Sequence, residues 1–421
     1  MNAKHFAKTL GPGLLFAATA IGTSHLVLST RAGAHHGMIF FWIILGALIL
    51  KYPFYEFGPR YASATGFSLL KGYRAQGKWA VWLFLAVVFV NMFSVVGAIG
   101  AVTAGLLATL FEVQAVSVPL LAGIILAVTV GLLLTGGYQG LDALIKVISV
   151  VLAVTVLVAF LAVLFKGPVE KAADFQAPAL MDGAGLALLI GLLGWMPAGM
   201  EASAMSSIWN IEKTKATGYQ PSLKESLLDF HIGYVFTILL ALMFLTIGAF
   251  TVFGSGQLLE GNATQFTGTL LAVFTTNLGE WAWYIMAMAA FGTIYGTLIT
   301  VMDAFPRCFV RGIRVLRYAE IDDQEPQRQF LDKSWRVTVV LVGLGGFCLF
   351  YFSAASMIKL LDVVTILAFI TSPVIAWLNL RAIQHPDIPA DHRPAPWLIG
   401  LAYLGLAFLV GFAGYYLWTM V

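Results

Sequence analysis

Among the ionisable side chains that fall inside long apolar runs are His25 in GTSHLVL, Glu201 directly after GWMPAGM, and Asp362 in LLDVVTIL. An ionisable group at membrane depth costs a few kcal/mol, about 2.5 to 3.5 by insertion scales, so such residues point by default to substrate or ion handling. A carboxylate offers hard oxygen ligands and one negative charge, and a neutral histidine offers a ring nitrogen. His25, Glu201 and Asp362 are therefore candidate metal ligands, and together with His231 they are candidate proton carriers. Plainer roles stand beside these. His25 can hydrogen-bond backbone freed by a helix interruption, and Asp362 can pair with Lys359, three residues earlier on the same helix. Lys51, Glu56 and Asp303 lie near the ends of apolar runs, where an interfacial or ion-paired place is expected. His35 and His36 read as a solvated loop. Met196, Met200 and Met205 are either soft ligands or packing residues. No nucleophile and base pairing and no cofactor motif emerges, and Cys308 and Cys348 lack a CxxC spacing. The expectation is a protein that is not an enzyme and carries no cofactor.

The elements that must position these groups are membrane spans. Of 421 residues, 60% are hydrophobic and only 11% are charged, too few to cover a water-exposed surface. The net charge of +3 gives no reason to expect nucleic acid. Windows of about 20 apolar residues recur eleven times: Leu10–Gly33, Met38–Phe57, Trp79–Leu110, Val118–Leu134, Leu144–Phe165, Ala184–Trp209, Gly233–Phe253, Trp281–Phe305, Val337–Phe352, Met357–Leu380 and Trp397–Leu417. With the N-terminus inside, 18 of the 24 Lys and Arg fall in cytoplasmic segments. That asymmetry predicts a multi-pass cell-membrane protein with a cytoplasmic N-terminus and its C-terminus outside. No cleavable signal is expected at MNAKHFAKTL.

Two spans carry matching interruptions. Span 1 opens at Gly11 and breaks at Gly22-Thr23-Ser24-His25; span 6 opens at Gly183 and breaks from Gly194 through Trp195-Met196-Pro197-Ala198-Gly199. Broken helices five spans apart mark an inverted-repeat transporter with its substrate between them, and unwound backbone is tolerable where it lines a cavity. Ordinary glycine-rich packing helices are the alternative. The expected architecture is an all-α integral membrane protein of about eleven transmembrane helices. It divides into a first repeat over 1–170, a second over 171–385 and an extra span over 386–421, with helices 1 and 6 broken.

The run GPGLLFAATAIGTSHLVLSTRAGA, Gly11 to Ala34, resembles the first span of the Nramp family of divalent-metal transporters. The likeness continues through VVGAIGA (Val95 to Ala101), YQGLDALIKVI (Tyr138 to Ile148), the small and polar stretch Gly292 to Thr300, and LDVVTILAF (Leu361 to Phe369). The chemical residues depart from the family's pattern. Its DPGN is here Gly22-Thr23-Ser24-His25, so the metal-binding aspartate is replaced by Gly22. In span 6, one alignment puts Ala198 at the family's methionine and Glu201 at an asparagine; another keeps Met196 as the thioether ligand. Alanine at that position resembles the magnesium-transporting branch. Asp362 matches a family glutamine near the metal, and Asn91 and Ser94 stand where the family has an acidic pair.

The resemblance implies a secondary-active transporter working by alternating access, with a divalent cation (Mn²⁺, Fe²⁺ or Mg²⁺) as substrate and symport as its mode. The expected substrate-binding set is Gly22, Thr23, Ser24, His25, Trp195, Met196, Ala198, Glu201 and Asp362. A transporter of a small, amino-acid-like carboxylate is the alternative, because unwound helix ends can bind a carboxylate through backbone amides. A membrane sensor that has lost transport is the third reading.

Overall fold

The computed structural model describes residues 8–111, 116–181, 183–256, 282–318, 325–353 and 357–419, with a few isolated residues between 268 and 280. Among the described residues there are helices and connections but no strand, as a bilayer demands of a chain that must satisfy its backbone polar groups within each span. Span 1 comprises α1 (Pro12–Ile21), a π-helical stretch Gly22–Ser29, and α2 (Thr30–His36). Span 2 is α3 (Ile39–Thr65), followed by the short amphipathic α4 (Leu69–Gln76). Span 3 is α5 (Lys78–Leu110). The helix α6 (Val118–Lys166) holds spans 4 and 5, which part at Gly137, whose φ of 55° is open to a residue without a Cβ.

Span 6 is split into α7 (Gly183–Trp195) and α8 (Ala202–Thr217). Then follow α9 (Leu223–Thr251), α10 (Ala282–Arg317), α11 (Glu325–Ser353), α12 (Met357–Ile383) and α13 (Pro396–Thr419). Nine helices among the described residues are long and apolar enough to cross a membrane. The two remaining windows of the eleven expected from sequence are the split span 6 and α10.

Helix starts follow local chemistry. Pro12 occupies the first turn of α1, where its missing N–H costs nothing. The N–H groups of Gly11 and Gly13 donate to the two carboxylate oxygens of Asp229, at 3.0 and 2.6 Å, so a side chain of α9 caps α1. α9 itself opens with a capping box between Ser222 and Glu225.

Between spans in lipid there is little hydrophobic drive, so contact depends on close packing of small residues. α1 and α2 lie along α9 through two such points. A Cβ on Gly13 would stand 2.0 Å from the carbonyl of Asp229, and one on Gly248 would stand 2.1 Å from the carbonyl of Thr30. α10 packs on α5, α12 on α7, and α3 on α8, which leaves span 1 and the split span 6 in the interior. The rim presents Val147, Val150, Val154 and Leu161 of α6 outward, a surface suited to acyl chains.

Candidate functional site

The two interruptions touch. Gly22, with φ −53° and ψ −111°, leaves α geometry, and the chain continues in the wider π turn. The interruption expected in span 1 is thus a π stretch rather than an open loop. Span 6 opens fully: residues 196–201 are non-helical, with a cis bond between Met196 and Pro197. The hydroxyl of Ser24 lies 3.2 Å from the carbonyl of Pro197, which joins the two breaks directly.

Glu201 stands at the N-terminus of α8, where the aligned peptide dipoles favour a negative charge. It is 3% exposed. Its Oε1 accepts from the Asn91 side-chain amide at 3.1 Å, and its Oε2 has no hydrogen-bond partner. The side-chain carbonyl of Asn91 and the hydroxyl of Thr23 are likewise buried and unpartnered. Thr23 and Glu201 line a small cavity with Ser24, Trp195 and Ala198. Glu201 is the ionisable side chain among its lining residues.

The other expected site residues are placed differently. His25 is fully buried and absent from the cavity wall. Its Nε2 lies 3.0 Å from the carbonyl of Thr237, which can only accept, so Nε2 carries the proton. Nδ1 lies 2.7 Å from the Ser24 hydroxyl, which also faces the carbonyls of Ala20 and Pro197. Both ring nitrogens thus lie against protein groups, an arrangement that accords with the plainer role of bonding to freed backbone. Met196 is buried away from the cavity, and its carbonyl, not its sulfur, is engaged. Asp362 pairs with Arg31 of α2 at 2.7 Å. His231 bonds to the Tyr52 hydroxyl at 2.7 Å. Among the described residues no three His, Cys, Asp or Glu side chains gather as a metal-ligand cluster, so His25, Glu201 and Asp362 do not converge on one point.

Gly22 owes its identity to α10. A Cβ there would lie 2.0 Å from the Thr297 hydroxyl, which itself donates to the carbonyl of Ala18 at 2.6 Å. The space that an aspartate side chain would need is filled by a neighbour. Thr297 also faces the cavity, together with Thr19, Met205 and Phe305. Sequence reasoning did not place Thr19, Thr297 or Phe305 there; the polar stretch Gly292 to Thr300 was the available signal for Thr297.

Lys51 departs from its expected interfacial place. It is fully buried, and its ammonium donates to the carbonyls of Met196 (2.7 Å), Leu193 (3.0 Å) and Gly194 (3.3 Å), with that of Ala198 at 3.5 Å. The end of α7 supplies these acceptors because the break removes their intrahelical partners. Tyr55, one turn further along α3, donates its hydroxyl to the carbonyl of Ala198 at 2.5 Å. Asp303 and Glu56 are ion-paired as expected, with Arg307 and Arg60.

Membrane-length helices around two touching interruptions, with a buried carboxylate facing the space between them, define a secondary transporter with an internal substrate site. The sequence model of the family described as natural resistance-associated macrophage protein-like matches residues 13–419, and the chain belongs to this Nramp family. An uncharacterised protein of Pasteurella multocida (strain Pm70) is 33% identical over 408 residues, covering 96% of this chain and 90% of that protein. Among solved structures, a manganese transporter of Eremococcus coleocola superposes with a TM-score of 0.69 at 14% identity, covering 97% of this chain and 86% of that one. MhsT, solved with L-phenylalanine, gives a TM-score of 0.61 at 12% identity, covering 95% and 98%. At such identities the superpositions speak to the fold.

Proposed function

We propose that the chain carries a divalent cation across the cell membrane by alternating access, with Glu201 as its principal ligand. The observation that carries this reading is the unpartnered Oε2 of a buried carboxylate facing a cavity. A buried charge persists when a partner neutralises it, and a cation entering between the breaks is such a partner. The Thr23 hydroxyl, also unpartnered, is a second hard oxygen in the same wall. The Asn91 amide orients the carboxylate from behind. The name of the Eremococcus coleocola relative, a manganese transporter, accords with this substrate class. One carboxylate is a small charge for a divalent ion, so the ion keeps part of its hydration shell, as Mg²⁺ and Mn²⁺ do in sparse oxygen sites.

Glu201 also serves as the proton carrier, so proton and cation compete for one carboxylate. Asp362 contributes through its pair with Arg31, which ties span 1 to α12. The chain divides into repeats over 1–170 and 171–385 with span 11 over 386–421, the N-terminus in the cytoplasm and the C-terminus outside.

Uptake of Mn²⁺ and of Mg²⁺ into proteoliposomes tests the reading. Glu201→Gln is expected to lower uptake at least tenfold at subsaturating cation, equivalent to about 1.4 kcal/mol or more, and Thr23→Val by less. Undiminished uptake in Glu201→Gln would remove Glu201 as the ligand, and stimulation by amino acids alone would replace the cation with an organic solute.

A further inference from the structure

We propose that Lys51 is a tethered cation: its ammonium fills a carbonyl-lined site at the end of α7 that would otherwise hold a free monovalent ion such as Na⁺ or K⁺. Four backbone oxygens, those of Leu193, Gly194, Met196 and Ala198, converge on Nζ between 2.7 and 3.5 Å. An ammonium has three protons, so the group serves four acceptors by attraction to its charge as much as by directed bonds. The acceptors are backbone carbonyls at the broken C-terminal end of a half-helix, where the peptide dipoles concentrate negative potential. Clusters of this kind are what transporters and channels use to strip and hold a monovalent cation. Here α3 supplies the charge covalently.

Two neighbours set the character of the site. The Tyr55 hydroxyl bonds to the carbonyl of Ala198, and its ring lies 5.8 Å from the ammonium, a contact that itself favours a cation. Ala198, whose carbonyl meets the ammonium, also lines the cavity that Glu201 faces. The tethered charge therefore balances the substrate carboxylate when the cavity is empty, and it holds the break of span 6 open without any ion drawn from solution.

The test is read on stability, so its outcome does not depend on which substrate is carried. Wild-type protein, Lys51→Ala and the milder Lys51→Gln are extracted in matched NaCl, KCl, choline chloride and ethylammonium chloride, and thermal unfolding midpoints are compared. The wild type is expected to unfold at the same temperature in all four. Lys51→Ala is expected to unfold about 3 °C or more lower in choline than in Na⁺ or K⁺, with recovery in ethylammonium, which restores the lost ammonium to the space left by the side chain. Lys51→Gln keeps two N–H donors without the charge and is expected to show the same order of salts with a smaller spread. Midpoints independent of the cation in both variants would overturn the proposal. So would failure of both to fold in every salt, since no free cation would then be able to take the ammonium's place.

Discussion

Glycine at position 22 is favoured by its neighbourhood. The Thr297 side chain occupies the volume that any Cβ at position 22 needs, and overpacking of this kind costs about 1 to 3 kcal/mol. Gly22→Ala is expected to lower the unfolding midpoint, and Thr297→Gly in the same chain to recover part of the loss. A Gly22→Ala protein as stable as the parent would show that α10 gives way freely. On the proposal that Glu201 binds the cation, sharing one carboxylate between proton and cation has a kinetic signature. Apparent affinity for Mn²⁺ should fall as the pH is lowered while the maximal rate is recovered at high cation, measurable as competitive inhibition of uptake by protons.

At the scale of elements, the pair between Arg31 and Asp362 joins α2 to α12 across 331 residues of sequence, with side chains 12% and 26% exposed. Partial exposure limits its worth to about 1 kcal/mol. If Asp362 acts through this pair rather than on the cation, Arg31→Ala and Asp362→Asn should change uptake to the same degree, with the double variant no worse than either. A double-mutant cycle on uptake rate measures this, and additive losses would return Asp362 to the substrate.

Several parts of this arrangement were legible in the sequence. The spans follow from apolar runs, and the break in span 6 from Gly194 and Pro197 inside such a run. Glu201 stood out as an acid where acids are expensive. What was not legible is what depends on contacts between distant spans. Lys51 lies near a run end and reads as an interfacial lysine until α7 is brought against it, and nothing local in the sequence pairs Arg31 with Asp362 of α12. The filling of Gly22's space by Thr297 has no local signal at all.

For the whole molecule, the distribution of Lys and Arg predicts that the N-terminus and the basic end of α10, with Arg307, Arg311 and Arg314, share the cytoplasmic side. Reporter fusions active on only one face of the membrane check this: a periplasmic reporter at the C-terminus should be active and the same reporter at the N-terminus silent. The reverse pattern would invert the topology and exchange the inner and outer ends of the cavity.

The glycine contacts of span 1 constrain how such a molecule can move. Gly13 meets α9 near the start of α1, and Gly248 of α9 meets Thr30 at the start of α2, so the span is pinned to its neighbour on both sides of the π stretch. A rod fastened at two points cannot hinge alone. Span 1 and α9 are therefore expected to travel as one strut, with the opening and closing of the cavity left to the parts that slide past it.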